Sequence, residues 1–156
     1  MTIASKLQNT LAEKKIAYHT IAHPRTFCSS DTALAAHVPD DHVAKGVLLK
    51  DRGGYLLAVI PASEWLDIHR VQAELDRDLH LAEEAEVERL FDDCEPGAVP
   101  PIGRAYGVET VFDEALASLG RVFFEAGDHE QLIEVSDEQF HELMKGIRHG
   151  HFSQVH

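Results

Sequence analysis

VAKGVLLK (residues 43–50), DRGG (51–54) and YLLAVI (55–60) form the stretch that decides the fold. Two apolar runs flank four residues that include Gly53 and Gly54, a pattern that predicts a β-hairpin. Both arms are apolar at consecutive positions rather than at alternate ones. Arms of that kind are covered on both faces, so the hairpin is expected centrally in a sheet. One cation interrupts the first arm: Lys45, followed by Gly46.

Outward from the hairpin, helices and strands alternate irregularly. Ile3, Leu7 and Leu11 recur every fourth residue and predict a helix over 3–14, with Thr2 as its cap. A short strand is expected over 16–21. HPRTFCSS follows as a polar loop, and Ser30 is placed to cap a second helix that ends at Pro39 and the Asp40–Asp41 pair. Beyond the hairpin, a helix is expected over 66–75, a short strand over 79–81 and a helix over 83–91. CEPGAVPPIGRAYG then holds three of the six prolines. Strands are expected over 109–112, 121–126 and 132–135. Ser136 with Gln139 matches a capping box for a last helix, reaching about Met144. The expected whole is one α/β (mixed α+β) domain over residues 1–145, with a central mixed sheet of six to seven strands flanked by helices. GIRHGHFSQVH, from residue 146 on, reads as a loosely attached tail.

The 156 residues carry a formal charge of −13, unevenly spread. Residues 1–52 balance at +2 and the remainder at −15. A broad duplex-binding surface needs clustered Lys and Arg, so duplex DNA is not an expected partner. No run approaches the ~18 apolar residues of a membrane span, and the first residues lack the apolar core of a signal peptide. Two cysteines make no disulfide framework. A cytoplasmic protein without membrane contact is expected.

Three places are candidates for chemistry. Lys45 at the start of a core strand either snorkels to solvent or stands at a pocket floor, where it can hold a phosphate or polarise a carbonyl. Gly46 beside it leaves room for a ligand. The run Gly97, Ala98, Val99, Pro100, Pro101, Ile102, Gly103 is either a rigid turn or a stiff ligand-binding loop. In the second reading the Gly97, Ala98 and Val99 N–H groups face the ligand. Gly127, Asp128 and His129 form either a plain hairpin turn or a turn that orients an imidazole. Eleven histidines raise the question of a metal. No H-x-x-x-H pair falls on a predicted helix and no CxxC occurs, so neither metal nor cofactor is expected. Cys28 at a helix start has no assignable base. There is no G-x-S-x-G elbow, P-loop or G-x-G-x-x-G.

In their order and spacing these segments resemble the YbaK/prolyl-tRNA-synthetase-associated family of aminoacyl-tRNA editing domains. The resemblance rests on VAKGVLLK with Lys45, then YLLAVIPASEWLDIHRVQAEL, GAVPPIG, VFDEAL and FFEAGDHEQLIEVS. It implies a trans-editing deacylase that hydrolyses the ester of a mischarged tRNA carrying a small amino acid. It assigns the catalytic positions to Lys45, Gly97 and His129. Substrate contacts fall to Gly46, Ala98, Val99, Pro100, Pro101, Gly103, Gly127 and Asp128. Implied partners are the tRNA acceptor end, held weakly and salt-sensitively, and a synthetase. Gly46, Pro100 and Leu132 depart from common family choices and leave the amino acid open. A pocket of Val47, Val99 and Ile102 would suit a small side chain. The alternatives are a non-catalytic module binding an acceptor end, a nucleotide-like ligand or a synthetase, and a hydrolase of other small esters or amides.

Overall fold

The computed structural model describes residues 3–26 and 28–155, apart from the Ser30 side chain. In chain order the elements are α1 (Ser5–Glu13), β1 (His19–Ala22), α2 (Ser29–Ala35), β2 (Val43–Asp51), β3 (Gly54–Pro61), β4 (Glu64–Leu66), α3 (Ile68–Leu75), β5 (His80–Leu81), α4 (Glu84–Leu90), β6 (Glu109–Asp113), β7 (Arg121–Glu125), β8 (Gln131–Ser136), α5 (Asp137–Leu143), β9 (Arg148–Gly150) and β10 (Ser153–Val155). The main sheet runs β1-β8-β7-β2-β3-β6-β9, with β5 also pairing β2. The hairpin is central, as its apolar arms require. Its turn is tighter than the DRGG reading: Asp51 and Gly54 already pair, leaving Arg52 and Gly53 as a two-residue turn.

Alternation along the central strands builds cores on both sheet faces. Leu48, Leu57, Val59, Phe112 and Phe124 share one cluster with Leu7 and Leu11 of α1 and Phe140 and Leu143 of α5. Leu49, Leu56, Ala58, Ile60 and Val111 share the other with Val71 of α3 and Phe152. A smaller cluster joins Ala33 of α2 to Val43, Phe123 and Leu132. Each apolar residue of the hairpin therefore has a buried side to face.

The helix caps are partly those expected. Ser136 Oγ accepts from the Gln139 N–H at 3.2 Å. The Gln139 amide does not return the bond and instead accepts from the Ala17 N–H at 3.0 Å. Ala4 is the N-cap of α1, and its N–H donates to the Ala126 carbonyl at 2.9 Å; Thr2 lies outside the described residues. Cys28 stands at the cap of α2 and Ser30 lies within the helix.

The largest correction concerns the C-terminal segment. It is woven into the fold rather than loosely attached. β9 pairs parallel with β6, and β10 pairs antiparallel with β4 in a second, two-stranded sheet. Phe152 is buried. The fully buried Asp113 carboxylate accepts from the Phe152 N–H and the Ser153 hydroxyl, each at 2.8 Å. The sheet is accordingly larger than six or seven strands.

Candidate active site

The central strand β2 carries an opening in the sheet. β3 pairs with it from Ala44 to Asp51. On its other edge β7 pairs only at Val43 and Ala44, and β5 only at Leu49 and Lys50. Between these two partners that edge of β2 has no neighbouring strand among the described residues. The Ala82 N–H donates to the Leu48 carbonyl at 3.0 Å, whereas the Ala62 N–H donates to Val43 at 2.7 Å. Peptide groups alternate in direction along a strand, so those of Gly46 share the Leu48 direction and face the opening.

A cavity of about 310 Å³ occupies this opening. Lys45 and Gly46 line it together with Gly97 and Val99 of the proline-rich loop. The strand and the loop, 52 positions apart in the chain, thus meet at one site. Burial pulls the Lys45 ammonium below the usual lysine value, while the nearby Cys28 and Asp40 oppose that shift. Leu48, Leu57, Val87 and Phe91 give the cavity apolar walls, and Ser29, Leu81, Ala82 and Glu84 complete it.

The loop enters the site through a β-turn. The Ala98 N–H donates to the Glu95 carbonyl at 3.1 Å, and Gly97 has φ +81°. Pro96 second and a left-handed glycine third is the type II arrangement. This corrects one expectation: the Ala98 N–H closes the turn and does not face a ligand. Among the described residues, the Gly97 and Val99 N–H groups have no hydrogen-bond partner. Ala98, Pro100, Pro101, Ile102 and Gly103 are buried beside the cavity rather than lining it. Ile102 therefore belongs to the core, not to a side-chain pocket. At Gly103 a Cβ would lie 2.0 Å from Thr110 Oγ1, so close packing on β6 explains that glycine.

The β7–β8 turn clamps this loop. The Gly127 carbonyl accepts from the Glu95 N–H at 2.8 Å. His129 Nε2 is bonded to the Pro96 carbonyl. A carbonyl only accepts, so Nε2 carries the proton. His129 is buried and does not line the cavity. Asp128 Oδ1 accepts from the Glu130 and Gln131 N–H groups at 3.0 Å each, which is turn chemistry. Gly127 has φ +107°, and a Cβ there would meet Ala4 at 2.9 Å. The structure thus gives Gly127 and His129 contacts that hold the loop, and Asp128 contacts within its own turn, rather than contacts with the cavity. Arg25 adds an ion pair to Glu95.

Before the loop, the Tyr106 hydroxyl donates to Asp93 at 2.6 Å, and the Cys94 thiol lies 3.2 Å from that hydroxyl. Burial pushes the Cys94 thiol up to about 12, so it stays protonated. Among the described residues, no three His, Cys, Asp or Glu side chains come together as a metal-binding set. No helix among them is long and apolar enough to cross a membrane.

The wall residues Ser29, Leu81, Ala82, Glu84, Val87 and Phe91 escaped the sequence reading. Val87 and Phe91 do follow the inward-facing pattern of α4, but periodicity does not distinguish a cavity wall from a core.

Solved structures share this fold. A hypothetical protein designated APE2540 superposes with a TM-score of 0.84 at 22% identity, covering 96% of this chain and all (100%) of that one. A proposed trans-editing enzyme for prolyl tRNA synthetase superposes at 0.83 and 20% identity, covering 97% of this chain and 96% of that one. A signal transduction protein candidate from Marinobacter aquaeolei VT8 matches at 0.81 and 20%, covering 97% of this chain but only 31% of its own. A search of curated proteins finds no match. Residues 23–143 match the model of the aminoacyl-tRNA editing domain, and the chain belongs to that family.

Proposed function

We propose that this chain is a trans-editing deacylase: it hydrolyses the ester between a small amino acid and the end of a mischarged tRNA. The observation that carries this reading is the meeting of Lys45 with the Gly97 turn in one cavity. An aminoacyl ester is already activated, so positioning and carbonyl polarisation supply most of what hydrolysis needs. Lys45 holds the terminal phosphate or polarises the ester carbonyl. The Gly97 and Val99 N–H groups orient that carbonyl and stabilise the negative charge that develops on it. Water attacks the carbonyl carbon, with the substrate's ribose hydroxyl assisting. The carbon–oxygen bond to the ribose breaks, the ribose oxygen takes a proton, and free amino acid leaves with reusable tRNA.

His129, Gly127 and Asp128 act in this reading as positioning residues that fix the Pro96–Gly97 turn. The acceptor end is held weakly, because the chain is strongly acidic and phosphate contacts weaken with salt. A synthetase partner adds affinity in trans.

The test is release of amino acid from a panel of mischarged tRNAs at several ionic strengths. Release from at least one of them, falling as salt rises, is expected. If the protein binds acceptor ends and releases nothing, the non-catalytic module is correct. A salt-independent rate contradicts the phosphate contacts.

A further inference from the structure

Three glutamates stand at the start of α4, and two of them, Glu83 and Glu86, form its capping box. The Glu83 side chain caps the helix. The Glu86 carboxylate accepts from the Glu83 N–H at 2.8 Å, from Lys50 Nζ at 2.9 Å and from the Tyr55 hydroxyl at 3.0 Å. Glu84 takes no part in this network. It has no hydrogen bond or ion pair among the described residues, it is exposed, and it lines the cavity that holds Lys45.

The cavity therefore carries one cation and one carboxylate that do not neutralise each other. Among the described residues Lys45 and Glu84 form no ion pair with each other. The rest of the lining is largely apolar, with Val47, Leu48, Leu57, Val87 and Val99. Such a site suits a ligand that combines oxygen atoms of negative character, a cation and a small apolar group. An aminoacyl ester has that form: phosphate and carbonyl oxygens, a side chain and an α-ammonium.

We propose that Glu84 recognises the α-ammonium of the bound aminoacyl group, so that esters with a free amine are accepted and N-acylated esters are discriminated against. This inference rests on the deacylase reading and adds to it a criterion for choosing substrates. An exposed carboxylate gives a modest but measurable preference, about fivefold in affinity.

The test uses an amide-linked analogue, 3′-alanylamino-3′-deoxyadenosine, with its α-amine free or acetylated. Affinity is measured by titration just below neutral pH, where the amine is charged. The wild-type protein is expected to bind the free-amine analogue about fivefold more tightly than the acetylated one. Glu84→Gln should erase this preference and leave the acetylated analogue unaffected, while Glu84→Asp should retain most of it. The unchanged affinity for the acetylated form also reports that the variant is folded. Equal binding of both analogues by the wild type overturns the inference, as does a preference that survives in Glu84→Gln. Binding of neither analogue also overturns it. Hydrolysis of the mischarged panel, run in parallel, judges the deacylase reading separately.

Discussion

Glu125 ends strand β7 at 1% exposure. Among the described residues, neither of its oxygens meets a donor in hydrogen-bond geometry, although the Thr32 hydroxyl lies close. Burial pushes its carboxyl from 4.5 up to about 7; Thr32 opposes this and the Asp128 charge adds to it. The unfolded chain releases this proton near 4.5 and the folded chain near 7. Stability from this group is therefore greatest at low pH, falls as pH rises across that interval, and is level above it. Glu125→Gln should remove the fall. At about pH 7.5 the variant should exceed the wild type by up to about 3 kcal/mol, and at about pH 4 the two should agree closely. Urea unfolding of both proteins at the two pH values checks this; parallel behaviour would show that Glu125 is ionised in the folded state. Among cavity residues, Lys45 was legible because a cation opening an apolar strand demands an explanation. Glu84 was not, because only packing places α4 against the opening in the sheet.

At the scale of elements, long apolar or well-capped segments were readable and short paired ones were not. The hairpin of β2 and β3 carries its own turn and its own pattern. β4, β9 and β10 have three residues each, and their pairing partners lie far away in the chain. Nothing local in GIRHGHFSQVH announces a strand; the signal sits at Asp113, whose buried carboxylate holds the segment. Asp113→Ala leaves the Phe152 N–H and the Ser153 hydroxyl without this acceptor. It should cost about 2–4 kcal/mol, since buried groups are left unpaired. It should also open the chain to trypsin after Arg148. Limited proteolysis and thermal unfolding would measure both effects. An unchanged melting temperature and an uncut tail would mean that strand pairing alone holds the segment. The proline-rich loop was half legible. Its stiffness followed from composition, but the use of the Ala98 N–H in the turn and the clamp from His129 depend on tertiary contacts.

For the molecule as a whole, the charge asymmetry and the sheet opening belong together. The opening falls in β2, within the one third of the chain that is not acidic. Lys50 is already paired with Glu86, so Lys45 is the cation that the cavity itself presents. The fold brings this lysine to the Gly97 turn by leaving one edge of a central strand open over a short stretch, and the β7–β8 turn fixes the loop beside it. The most direct test is the rate of amino-acid release from a mischarged tRNA that the wild type hydrolyses, compared with Lys45→Ala, with circular dichroism confirming that both are folded. A rate lower by about an order of magnitude or more is expected in the variant; equal rates would remove Lys45 from the site.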